Sequence, residues 1–179
     1  MNLTHEVQIS DANDAYTNSR LALKKLLELK GHLVSDLKND LQLVNFQNLP
    51  KFPEYLISIS HTKGAGASLL ALKKDYLSLG IDIEWSDRHF KPEAQKFLRH
   101  IDDSTTENLL ELWTMKEAAF KALSPLGFPG TLVLSKIIIQ NGEFWTNEKK
   151  ELRGKVETLK LSSGDRELQI AIARISKSC

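Results

Sequence analysis

Between Gly80 and Lys121 the chain reads Gly80-Ile81-Asp82-Ile83-Glu84, then a variable helical stretch, then Trp113-Thr114-Met115-Lys116-Glu117-Ala118-Ala119-Phe120-Lys121. This stretch constrains the fold more than any other. In its first part apolar residues alternate with acids, the pattern of a short strand whose successive side chains face opposite ways. Asp82 and Glu84 therefore point to one side. In its second part good helix formers follow Asp103-Ser104, a pair able to cap a helix and satisfy its first free amides. Trp113, Glu117 and Lys121 recur every four residues and share one helical face. Packing this strand against this helix would bring three carboxylates and a lysine together. Such a cluster suits a hard divalent cation on a phosphate, because Mg²⁺ prefers oxygen ligands, retains waters and is commonly shared with substrate phosphates. Each half alone has a simpler reading: acids at alternate strand positions usually mark a solvated sheet face, and a Lys/Glu-rich helix an exposed surface. The apolar, glycine-bounded context of Leu79 to Glu84 separates the two readings. It belongs to a buried strand, and buried carboxylates need a cation to offset their desolvation.

At 179 residues the chain can bury a substantial core. Its 24 basic and 23 acidic residues leave a net charge of +1 with no long charge block. A general nucleic-acid binder would show a concentrated basic excess, so none is expected. The segment Met1 to Glu6 has no basic region followed by an apolar core, and no apolar run is long enough to span a membrane. The single cysteine, Cys179, rules out an intrachain disulfide and a multi-thiolate zinc site, and a reducing cytoplasm is the expected compartment.

Residues 1–12 read as a polar lead-in with a short strand. A helix is predicted over Asp14 to Lys30, with Leu23, Leu26 and Leu27 at core spacing and Gly31 as its stop. A weaker helix is predicted over Val34 to Leu41, and the two prolines of Asn48 to Pro53 mark a loop. Three strands follow, Tyr55 to Ser60, Ala67 to Lys73 and Leu79 to Glu84, readable as a meander. Helices are predicted over Phe90 to His100 and Ser104 to Leu123. After the breaker Ser124 to Gly130 come strands over Thr131 to Gln140, Glu143 to Thr146, Leu152 to Leu161 and Glu167 to Ile175, with hairpin turns at Asn141-Gly142 and Ser163-Gly164-Asp165. Helices and antiparallel strands thus occur twice. The expected fold is α+β, two similar halves over residues 1–84 and 85–179, with antiparallel sheets packed against helices.

Ser60-His61-Thr62-Lys63 sits beside a glycine-containing turn and gathers several hydrogen-bond donors, a set suited to phosphate oxygens. A lone histidine is more often structural, and His5, His32, His89 and His100 have no such company. Taken in order, Ser-Ile-Ser-His-Thr, Gly-Ile-Asp-Ile-Glu and Trp-Thr-Met-Lys-Glu-Ala-Ala-Phe-Lys resemble the 4′-phosphopantetheinyl transferases, most closely the longer type with two similar halves in one chain. Leu49-Pro50-Lys51-Phe52-Pro53 stands where that type usually carries Gly-Lys-Pro or Gly-Arg-Pro.

The resemblance implies an enzyme that moves the 4′-phosphopantetheine arm of coenzyme A onto a serine of an acyl or peptidyl carrier protein, as in fatty acid biosynthesis. It implies Asp82, Glu84 and Glu117 as ligands of Mg²⁺ (or Mn²⁺), and Lys116 and Lys121 beside the phosphates. Ser60 and His61 match the motif that touches the nucleotide phosphates, and Arg20 takes the place of a basic residue for the 3′-phosphate. Glu117 would act as base toward the serine, directly or through a metal-bound water, with Lys121 and Lys116 offsetting charge on the leaving side. Arg88, Lys91, Lys96 and Arg99 would form a basic patch for an acidic carrier helix. The motif order implies a monomer whose one chain supplies the whole site. The rival readings are a coenzyme A-binding module without transfer activity and a Mg²⁺-dependent phosphohydrolase.

Overall fold

A computed structural model describes residues 3–45, 47–91, 93–104, 108–128 and 133–177. Two antiparallel sheets face each other, each covered on its outer side by one 15-residue helix. The first sheet has the order β1-β3-β2, from β1 (Thr4–Ile9), β2 (Tyr55–Thr62) and β3 (Ala65–Leu72). The second has the order β4-β8-β7-β6-β5, from β4 (Tyr76–Trp85), β5 (Ile137–Gln140), β6 (Glu143–Thr146), β7 (Lys149–Ser163) and β8 (Arg166–Ser176). The architecture is the expected α+β, but the meander stops after β3. β4 leaves the first sheet and pairs antiparallel with β8, Ile81 opposite Ile172 and Asp82 opposite Ala171.

Three apolar layers hold these elements together. Helix α1 (Ala15–Leu29), capped by Asp14 accepting from the Thr17 amide at 2.7 Å, buries Leu23, Leu26 and Leu27 against Ile57 and Leu70. Between the sheets, Ala67 and Leu69 meet Ile81, Ile83, Ile170 and Ile172. Helix α3 (Leu109–Leu123) lays Leu112, Ala118, Ala119 and Ala122 on Ala171, Ala173, Val156 and Phe144. The short α2 (Ala94–Leu98) precedes it. Alternation explains the split: along β8, Leu168, Ile170 and Ile172 face the first sheet while Ala171, Ala173 and Ile175 face α3.

Local hydrogen bonding replaces one expected helix, and two others are shorter than expected. Residues 34–36 are irregular and 37–41 form a turn, because Asp36 accepts from the amides of Lys38 and Asn39, and Asp40 from those of Ser35 and Asp36. Such side-chain bonds offer the backbone an alternative to the helical ladder. Of the helix expected over Ser104 to Leu123, residues 105–107 lie outside the described residues; α3 is regular over Leu109–Leu123, and Asn108 caps it by accepting from Leu110 and Glu111. The helix expected over Phe90 to His100 contracts to the five residues of α2. The strand expected from Thr131 begins in part outside the described residues and is regular only over Ile137–Gln140. Asn141-Gly142 is the expected hairpin turn, both residues at positive φ, 51° and 75°.

Candidate active site

The even-numbered face of β4 looks at α3. Ser78 Oγ donates to the Ala122 carbonyl, and a Cβ on Gly80 would lie 1.9 Å from the Ala118 carbonyl oxygen, so only glycine permits this approach. Two and four residues on, the same face carries Asp82 and Glu84. The inner face of β2 adds a row of hydroxyls: Ser58 Oγ accepts from the Ile81 amide at 3.0 Å, Ser60 Oγ donates to Asp82 Oδ1 at 2.8 Å, and Thr62 Oγ1 lies 3.5 Å from Glu84 Oε2. Ser60, His61, Asp82, Glu84, Trp113, Glu117 and Lys121 together line one cleft of about 360 Å³.

Lys121 is the centre of its polar network. Its Nζ donates to Asp82 Oδ1 at 2.8 Å, to Ser60 Oγ at 3.0 Å and to the Ile81 carbonyl at 2.9 Å. Asp82 is 6 % exposed, yet its Oδ2 is buried with no partner among the described residues. Burial pushes the Glu117 carboxyl above the usual carboxylate range; the Asp82 charge adds to the push, and Lys121 and Arg88 offset part of it. Glu84 is paired with Arg88, whose guanidinium stacks 4.7 Å from the Trp113 ring centroid and 4.9 Å from that of Phe90. With Glu84 on Arg88 and Asp82 Oδ1 on Lys121, no group of three or more Asp, Glu, His or Cys among the described residues forms a ready-made metal cage. The donor set nevertheless fits a hard cation: an orphaned buried carboxylate oxygen sits beside a second carboxyl that the same charge disturbs.

Of the residues singled out from sequence, Ser60, His61, Asp82, Glu84, Glu117 and Lys121 meet in the cleft. Lys116 does not. It is fully buried away from the cleft, its Nζ donating to the Leu98 carbonyl at 2.7 Å and to Asp103 Oδ2 at 2.6 Å, which corrects its expected place beside phosphates. Burial lowers the Lys116 ammonium pKa and Asp103 restores part of it. Arg20 lies on α1 outside the cleft lining, 6 % exposed, stacked 4.6 Å over the Tyr16 ring, with Nε and one terminal nitrogen buried and without a partner among the described residues. Arg88 is occupied by Glu84 and is not a free member of a basic patch.

Two features carry no local sequence signal. Gln47 is buried in the loop before β2, accepts from the Leu79 amide at 3.2 Å and donates to the Leu79 and Lys121 carbonyls, tying β4 to α3. Beside the cleft, and sharing Ile59 and Lys121 with it, a cavity of about 660 Å³ is bounded by Leu43, Phe120 and Phe128.

A partly buried lysine and a buried carboxylate thus lie between a strand edge and a helix, with hydroxyl donors opposite. Residues 78–173, more than half of the chain, match the family model of the 4′-phosphopantetheinyl transferase superfamily, and the chain belongs to that superfamily. Its class of activity is phosphopantetheinyl transfer, with coenzyme A and a carrier protein as the substrates in general. Comparison with individual curated proteins finds no match. Among the described residues no helix is long and apolar enough to cross a membrane.

Proposed function

We propose that this chain is a Mg²⁺-dependent transferase of the holo-acyl-carrier-protein synthase kind, acting in the cytoplasm as a monomer. It moves the 4′-phosphopantetheine arm of coenzyme A to a serine of an acyl or peptidyl carrier protein. The observation that carries this reading is the buried Asp82 Oδ2, without a partner among the described residues, in one cleft with Glu117 and Lys121. Asp82 and Glu117 would hold the cation, with Glu84 joining once it leaves Arg88; Mg²⁺ there supplies neutralisation of pyrophosphate charge. Lys121, Ser60 and His61 receive phosphate oxygens, and the unsatisfied Arg20 guanidinium receives the 3′-phosphate. The arm extends into the cavity beside Phe120 and Phe128.

In the transfer, the carrier serine oxygen bonds to the phosphorus that bears the pantetheine arm. The bond from that phosphorus to the bridging pyrophosphate oxygen breaks, and adenosine 3′,5′-bisphosphate leaves. The serine proton passes to Glu117 directly or through a water. A cation held by Glu117 would lower its basicity, which is why the route through a water stays open. Most of the rate comes from alignment and from Lys121 facing charge that grows on the leaving side.

The longer, two-half type accounts for the layout. Each sheet carries one long helix at a glycine: a Cβ on Gly66 would lie 2.1 Å from the Ser19 amide nitrogen, as one on Gly80 would meet Ala118.

The test is to incubate the chain with coenzyme A, Mg²⁺ and an apo carrier protein, and to weigh the carrier. The mass of one phosphopantetheine arm, with bisphosphate released only when carrier is present and none after chelation, is the expected result. Release without carrier means a phosphohydrolase, and binding without release means a non-catalytic module; either overturns the proposal.

A further inference from the structure

Gln169 of β8 is 2 % exposed, and its side-chain amide makes no hydrogen bond among the described residues. It lines a cavity of about 340 Å³ that Arg88 also lines. Further along the same face of β8 stand Ala171 and Ala173, packed on α3. Packing alone would be served by an apolar side chain at 169 as well. A buried primary amide carries two donors and an acceptor, and is ordinarily placed where a neighbour uses them.

The ladder shows which neighbour is available. Gln169 stands opposite Glu84 of β4 on one side and opposite Lys160 of β7 on the other. Residues opposed in this way share a face of the sheet, with Cβ atoms about 5 Å apart. Lys160 is engaged, its Nζ 2.8 Å from Glu167. Glu84 is the carboxylate held by Arg88, and its remaining hydroxyl neighbour, Thr62 Oγ1, lies at 3.5 Å, the outer limit of a hydrogen bond.

A carboxylate on a cation keeps lone pairs that require donors, and the charge of the donor matters. A guanidinium next to a divalent cation adds repulsion, whereas a neutral amide N–H adds none. Glu84 therefore serves a cation best after exchanging Arg88 for an uncharged donor, and Gln169 lies directly across the ladder. The cavity shared by Gln169 and Arg88 leaves the guanidinium room to withdraw.

We infer that Gln169 is a positioning residue of the cation site: its amide N–H donates to Glu84 when that carboxylate leaves Arg88, and orients it toward a cation shared with Asp82 and Glu117. Gln169 itself is outside the cleft lining and touches no substrate. The inference rests on the cation reading proposed above.

The experiment reads Mn²⁺ binding to the full chain by paramagnetic resonance of the free ion, without coenzyme A and without turnover. Gln169→Met keeps the side-chain length and removes the amide. It should raise the Mn²⁺ Kd about tenfold or more, as loss of an outer-shell partner of a metal ligand does. The melting temperature of the metal-free chain should stay level or rise, because no protein hydrogen bond is lost. Gln169→Asn retains an amide but draws it back by one methylene; it should raise the Kd likewise, and it decides the matter if the Met variant does not fold. In an Arg88→Met background the loss on Gln169→Met should persist.

A Kd unchanged in both Gln169 variants overturns the inference. So does a melting temperature that falls together with the affinity in both, which marks a packing role. An effect confined to chains that retain Arg88 also overturns it, because the amide then acts on the guanidinium and not on Glu84. A wild-type chain that binds no Mn²⁺ overturns the cation reading and the inference with it, whereas wild-type binding that both Gln169 variants match overturns the inference alone.

Discussion

Lys121 Nζ sits 2.8 Å from Asp82 Oδ1 and is the ionic partner of a carboxylate that is 6 % exposed. Removing the amine strands that charge in a half-dry cleft. Lys121→Met should therefore cost about 3 kcal/mol of stability as well as abolish transfer. Adding Asp82→Asn should recover most of the stability and none of the activity, as urea unfolding and carrier mass would read.

Gly80→Ala tests the contact that sets the strand–helix distance. The added methyl meets the Ala118 carbonyl at 1.9 Å, and backbone cannot yield as a side-chain tip can. A loss of about 2–4 kcal/mol is expected from overpacking at a buried strand, with activity falling as Glu117 moves from Asp82. An unshifted denaturation midpoint would show that α3 is free to slide.

Glu117 gives a pH prediction. Its carboxyl titrates above the ordinary 4.5 when folded, so folding favours the protonated form. That contribution is fully present at pH below 4.5 and is lost as pH rises through the folded value; at neutral pH Glu117 opposes folding. Glu117→Gln should accordingly be more stable than wild type in thermal unfolding at pH 7.5, by about 0.5–2 kcal/mol, while losing transfer. The two proteins should converge in stability as pH falls toward 4.5. An equal gap at both pH values would detach the effect from ionisation.

Arg88 competes for Glu84. Arg88→Gln should tighten Mn²⁺ binding in the absence of coenzyme A by about three- to tenfold, the worth of a partly exposed ion pair. Paramagnetic resonance of free Mn²⁺ reads this without turnover; weaker binding would mean that Arg88 helps to orient the carboxylate.

The cleft was legible in the sequence where periodicity alone decides orientation. Alternation places Asp82 and Glu84 on one face of β4, and the four-residue spacing places Trp113, Glu117 and Lys121 on one face of α3. The same rule separates Lys116, which falls in the stripe of Leu112, Ala119 and Leu123; that apolar company was the available signal for its burial. Nothing local announces Asp103 as its partner, Gln47 as the tie between β4 and α3, or Arg88 folding back on Glu84. Each of those depends on chain segments meeting in space. The transfer of β4 to the second sheet was hidden for a similar reason, because the pairing with Arg166–Ser176 spans most of the remaining chain.

The boundary between β2 and β4 joins two sheet margins through side chains: Gln47 occupies the Leu79 amide and carbonyl, Ser58 the Ile81 amide and Lys121 the Ile81 carbonyl. A bare strand margin is adhesive and recruits strands from other molecules. Here the same lysine that faces the acid cluster also blunts that margin, so a variant lacking it exposes a peptide carbonyl to foreign strands and risks self-association on top of lost chemistry.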